Sequence, residues 1–97
     1  MSDCSKHKKE IAGITDMRIL AEMIGDLHYK TLSILLYHLS DKLYYDGLKD
    51  FHSGRTQLAG ELFKSRINIY EAHTEIERAW KLSEPYMKAQ LSESKVE

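Results

Sequence analysis

Apolar residues recur every three or four positions along two long stretches of this chain, and no Pro interrupts either one. The first stretch covers roughly residues 16–45 and the second roughly residues 55–82. Gly47 and Gly54 bracket the segment between them. This pattern predicts an all-α fold built on an antiparallel hairpin of two long helices.

The first helix carries an unusually broad apolar arc. At about 100° per residue, Leu20, Met23, Ile24, Leu27, Thr31, Ile34, Leu35 and His38 share one face. Ala21, His28, Leu32, Leu36, Leu39 and Leu43 widen that face on one side. Glu22, Asp26, Lys30, Ser33, Tyr37, Ser40 and Asp41 fall on the opposite arc. A helix with one neighbour needs an apolar stripe of roughly 100°. This arc exceeds half the circumference, so a second neighbour is expected. The predicted assembly is a homodimer in which two hairpins form a four-helix-type bundle. Gly25 borders the arc and predicts a close helix approach. Leu35, Leu39 and Leu43 step by four, which predicts a drifting stripe and a loose supercoil.

Punctuation gives the expected boundaries. Thr15 or Asp16 is a candidate N-cap, Gly47 a candidate C′ residue, and Ser53 a candidate N-cap for the second helix. Phe51 is expected to plug the end of the core. The apolar arc of the second helix holds Leu58, Ala59, Leu62, Phe63, Ile67, Ile69, Tyr70, Ala72, Ile76, Ala79 and Trp80. Ser83-Glu84-Pro85 reads as a cap with Pro at N1 of a short third helix near residues 84–91, packed through Tyr86 and Met87. The competing reading is a kinked continuation of the second helix. The expected organisation is a tail over residues 1–14, one helical domain over 15–91 and a tail over 92–97. Ile11 to Ile14 is expected to pack back on the body. Leu27, Leu35, Leu62, Ile69 and Ile76 are the expected core.

Composition narrows the function classes. The chain has 97 residues, enough for one small domain. A formal net charge of −1 provides no global field for nucleic acid or an anionic membrane. The basic cluster Lys6, His7, Lys8 and Lys9 lacks aromatic neighbours and is a weak footprint for either. The single Cys, Cys4, cannot form an internal disulfide, which fits a reducing compartment. No secretory h-region or membrane span is legible, and a cytoplasmic protein is expected.

One polar row stands out. Arg66, Tyr70, His73 and Glu77 follow at spacings of four, three and four through the apolar arc of the second helix. His28 and His38 interrupt the arc of the first helix in the same way. A hairpin turning near residue 50 or 51 would bring His28 to His73 and Thr31 to Tyr70. Such groups cost several kcal/mol if buried unpaired, so they must pair, reach water or meet a partner. The plain reading is a hydrogen-bonded network that fixes register. The functional readings are a site for a partner protein or ligand, or a metal held by His28, His73 and Glu77. The Glu-x-x-His pairs of di-iron bundles are missing, which argues against the metal.

Six Tyr against two Phe is the other anomaly. Tyr37 sits on or at the edge of the polar arc of the first helix and Tyr44 at that helix's exit, positions where amphipathic rings serve interfaces. Arg55 and Arg66 offer charge-assisted donors to an anion. No nucleophile pair, Gly-rich phosphate loop or elbow motif is present, and the chain is not expected to be an enzyme or to need a cofactor. Two functions follow as expectations. The first is a small oligomeric interaction protein that binds or inhibits another macromolecule, a type frequent among accessory proteins of phages and mobile elements. The second is a helical bundle that binds or sequesters a small anionic ligand, such as a nucleotide, at a subunit interface.

Overall fold

A computed structural model describes residues 7–96, with side chains as far as Tyr86. Three helices are present: α1 (Met17–Gly25), α2 (Tyr29–His52) and α3 (Thr56–Val96). Among the described residues there is no strand, only a tight turn in which Ile11 and Ile14 exchange backbone hydrogen bonds. Ile11 is exposed, so this turn does not seat it on the body. The packing is between α2 and α3, and α1 makes no comparable contact.

The first apolar stretch is two helices, not one. Asp16 caps α1, its carboxylate accepting from the Arg18 amide at 2.9 Å. The helix ends at Gly25, and a Cβ there would meet nothing within 4 Å, so close approach is not its role. Gly is the costliest ordinary residue in a helix interior, and the chain breaks at this point. α2 restarts behind His28, whose Nδ1 accepts from the Lys30 amide at 3.2 Å.

α2 then runs past the expected stop at Gly47. Its true end is Ser53, the C-cap, followed by Gly54 at φ +85°. The Gly54 amide donates to the Phe51 carbonyl at 3.1 Å and the Arg55 amide to the Asp50 carbonyl at 2.8 Å. This pair of bonds is the Schellman motif, which satisfies the last carbonyls of a helix. Ser53 therefore closes α2 and does not open α3, and Phe51 is exposed and not a plug.

Small residues form the seam of the hairpin. Ser33, Ser40 and Gly47 are the buried residues of α2, one every seven positions. Ser40 and Ala59 are fully buried, and Ser33 is 4% exposed. Ser33 faces His73 through a side-chain contact of 2.9 Å. Stepping seven residues each way from that pair, in opposite directions, sets Ser40 level with Arg66 and Gly47 level with Ala59. Gly47 is required by closeness: a Cβ there would lie 2.6 Å from Cε1 of Phe63.

This seam corrects the expected core. Ser33 and Ser40, assigned to solvent by the sequence, are buried, while Leu35 is 39% and Leu39 43% exposed. Leu27, Leu62, Ile69 and Ile76 are only half-buried. The seven-residue step of the small residues, and not the four-residue step of the leucines, sets the contact. Two slim faces allow close approach of the backbones, and the larger aliphatic side chains are left on the flank.

α3 passes through Pro85 without a separate third helix. An interior Pro removes one backbone bond, yet the helix continues on both sides. At 1.5 Å per residue α3 is about 60 Å long against about 36 Å for α2, so its C-terminal part overshoots the hairpin. Leu82 and Tyr86, in that overshoot, are strongly exposed. The Met87 side chain lies outside the described residues. Among the described residues no helix is long and apolar enough to cross a membrane.

Candidate functional site

The hairpin presents two flanks of different chemistry. By helical phase, Leu32, Leu36, Leu39 and Leu43 of α2 share one flank with Leu62, Ile69 and Ile76 of α3. The other flank carries Tyr37 and Tyr44 of α2 beside Phe63, Tyr70 and Glu77 of α3. Ring contacts across the seam fix this second flank: Tyr44 lies 6.0 Å from Phe63 and Tyr37 lies 6.2 Å from Tyr70.

Arg66 is the centre of that aromatic flank. Its guanidinium carbon lies 5.2 Å from the Tyr44 ring centroid and 5.5 Å from that of Tyr70. Cation–π attraction of this kind contributes ~0.5–1 kcal/mol at exposed sites and more where water is excluded. The contact with Tyr44 takes the Arg66 side chain across to α2, near the level of the fully buried Ser40. The Arg66 Nε is buried and has no hydrogen-bond partner. Among the described residues no carboxylate pairs with this guanidinium.

His73 is the next level. Its Nδ1 lies 2.8 Å from the Ser33 carbonyl oxygen, which only accepts, so the Nδ1 proton points there. The Ser33 hydroxyl sits 2.9 Å from the same Nδ1 and donates to the His73 carbonyl at 3.5 Å. Nε2 is thereby aimed at Glu77, whose Oε2 is 3.5 Å away. Glu77 also meets Lys81 at 3.8 Å, and its side chain is 48% exposed against 15% for His73. The Tyr37 and Tyr70 rings each lie 5.4 Å from the imidazole. His73 is therefore a register-fixing group within the seam, and Glu77 is a solvated neighbour.

The structure thus brings together Tyr37, Tyr44, Arg66, Tyr70, His73 and Glu77 in one row. It separates the two others. His28 caps α2 and meets Trp80 in a tilted ring contact, 4.4 Å between centroids. The expected pairing of His28 with His73, and with it a shared metal, is replaced by Ser33 with His73. The turn is centred on Ser53, not on residue 50 or 51, and the register moves accordingly. Among the described residues no group of three potential ligands is placed to hold a metal ion. Arg55 lies in the interhelical turn, where its Nε donates to Asp50 at 2.9 Å. Ser33 is the participant that the sequence reading missed. The signal was the seven-residue repeat of Ser33, Ser40 and Gly47.

Of two grooves on the described surface, only the first includes members of the row. The first, of about 360 Å³, lies between Lys30, Ser33, Ile34, His73, Glu77, Trp80 and Lys81. The other, of about 530 Å³, lies at the turn end among His7, Lys8, Lys42, Asp46, Lys49, Asp50, Arg55 and Leu58. Most charges of the second are already paired, Lys42 with Asp46 at 2.6 Å and Arg55 with Asp50. Arg66 lines neither groove. No family model, curated protein or solved structure matches the chain.

Proposed function

We propose that this protein is a self-associating interaction module, in which the two flanks of the hairpin have separate tasks. The aliphatic flank joins two copies into a four-helix-type bundle. The aromatic flank, turned away from that contact, binds another macromolecule. Binding, and not catalysis, is the task this chemistry suits.

The observation that carries the reading is the imbalance between seam and flank. Within the described residues the only buried hydrophobic side chain is Ala59. The described leucines and isoleucines of both helices stay half-buried or exposed. Burial of apolar surface yields about 25 cal/mol per Å², and a seam of Ser, Gly and Ala provides little of it. A second aliphatic flank of the same kind is the simplest cover, because two-fold contacts are self-complementary.

The test is Leu39→Glu on the aliphatic flank. The substitution places a charge where a second copy would seat, without touching the seam. The expected outcome is a shift from dimer to monomer in light scattering after gel filtration. An unchanged oligomer would remove this flank from the interface.

The ligand-binding reading also has an observation in its favour: a half-buried guanidinium without an anionic partner. Under that reading a nucleotide panel would raise the melting temperature of the wild type and not of Arg66→Ala. If no nucleotide shifts the wild-type melt, this second function is lost.

A further inference from the structure

We infer that the partner bound by the aromatic flank is a protein segment carrying an Asp or Glu side chain, and that its carboxylate seats on Arg66. The inference rests on the proposed role of that flank and adds the chemistry of what it takes.

Three features point to a carboxylate. The guanidinium is held in place by two aromatic rings, Tyr44 and Tyr70, one from each helix of the hairpin. Rotamer freedom that a lone surface Arg would lose on binding is thus already lost. Its Nε–H is buried and closed to an incoming group, whereas its two Nη nitrogens, the far edge of the planar fork, are in no ion pair among the described residues. A carboxylate accepts two parallel N–H bonds from such an edge, in the geometry that makes Arg–carboxylate pairs strong. Finally, the carboxylate of the row, Glu77, meets Lys81 at 3.8 Å and makes no ion pair with Arg66.

The shape favours a polypeptide over a small molecule. Arg66 lies on an open flank and lines neither groove. Small ligands are usually held in concave sites that cover most of their surface. Tyr37, Tyr44 and Tyr70 are each about two-fifths exposed and extend the row on both sides of the cation. Exposed Tyr and Arg are the residues most enriched where protein partners bind. An acidic side chain flanked by apolar ones therefore complements this row.

The probe is a peptide array of fixed length, apolar at the flanking positions, with Glu, Gln, Lys or phosphoserine at the centre. It is read with the full chain as wild type, Arg66→Lys and Arg66→Gln, each checked by circular dichroism and sedimentation. The expected result is at least tenfold stronger retention of the Glu peptides over the Gln peptides. Arg66→Lys, which keeps the charge but not the fork, should lose most of that preference. Peptides bound with no preference for Glu, or with phosphoserine preferred, would overturn the carboxylate assignment and leave the interaction role standing. No peptide bound by the folded wild type would overturn both. Loss of the dimer in Arg66→Gln would also overturn the assignment, because a second copy would then be the occupant of this flank.

Discussion

Gly47 and Gly60 both lie inside long helices, yet their surroundings predict opposite responses to a methyl group. At Gly60 a Cβ meets nothing within 4 Å, so Gly60→Ala should gain the usual helix preference of ~0.5–1 kcal/mol. At Gly47 the same Cβ lies 2.6 Å from the Phe63 ring, and the ring must leave its place beside Tyr44. Gly47→Ala should therefore lower the melting temperature while Gly60→Ala raises it. Equal shifts in thermal melts would show that the seam is looser than described. Ser40→Leu is the harsher version, because a fully buried position would take on a large side chain and overpacking typically costs ~1–3 kcal/mol. In the His73 network the expected order of loss in urea denaturation is His73→Ala, then Ser33→Ala, then Glu77→Ala. Ser33→Ala keeps the backbone carbonyl that accepts from Nδ1 and should cost about 1 kcal/mol. Glu77 is half exposed, and its pair with His73 should contribute at most ~0.5 kcal/mol. A Glu77→Ala loss as large as that of His73→Ala would make the pair, and not the seam, the source of stability.

At the scale of the helices, the sequence revealed kind and order but not register. The amphipathic helical stretches and the cap at Asp16 were legible because each rests on local rules of period and capping, whereas the turn was placed several residues too early, with Gly47 as its start. The break after Gly25 was not legible, since a single Gly is often tolerated within a helix. The face of α2 that meets α3 was missed for a physical reason. Hydrophobic periodicity finds the apolar arc, and here the interhelical seam lies on the small residues Ser33, Ser40 and Gly47. Once that seam was displaced, the predicted level of His28 against His73 failed with it. The row Arg66, Tyr70, His73 and Glu77 survived, because its members share a helix and their spacing is fixed by helical geometry alone. Gly54 is the residue on which the turn depends. Its φ of +85° is one that L side chains rarely adopt, and Gly54→Ala should destabilise the hairpin by ~1 kcal/mol or more. Denaturant midpoints of wild type and variant measure this directly. No difference would mean that the Schellman bonds at Phe51 and Asp50 do not hold the register.

At the scale of the molecule, the surface is too large for a chain of this size. It exposes 8041 Å², whereas a compact 11.3 kDa monomer exposes about 5,700 Å². α1, which stands off the hairpin, and the α3 overshoot contribute to that excess along with the incompletely buried leucines and isoleucines. The hairpin joins backbones closely while leaving its leucines and isoleucines half-buried or exposed, and this accounts for both the small core and the wide apolar arc. The central claim is that a second copy covers the aliphatic flank. Sedimentation equilibrium of the full chain at micromolar concentration tests it most directly. The account predicts the mass of a dimer or a larger closed oligomer. A well-folded monomer at that concentration would contradict it.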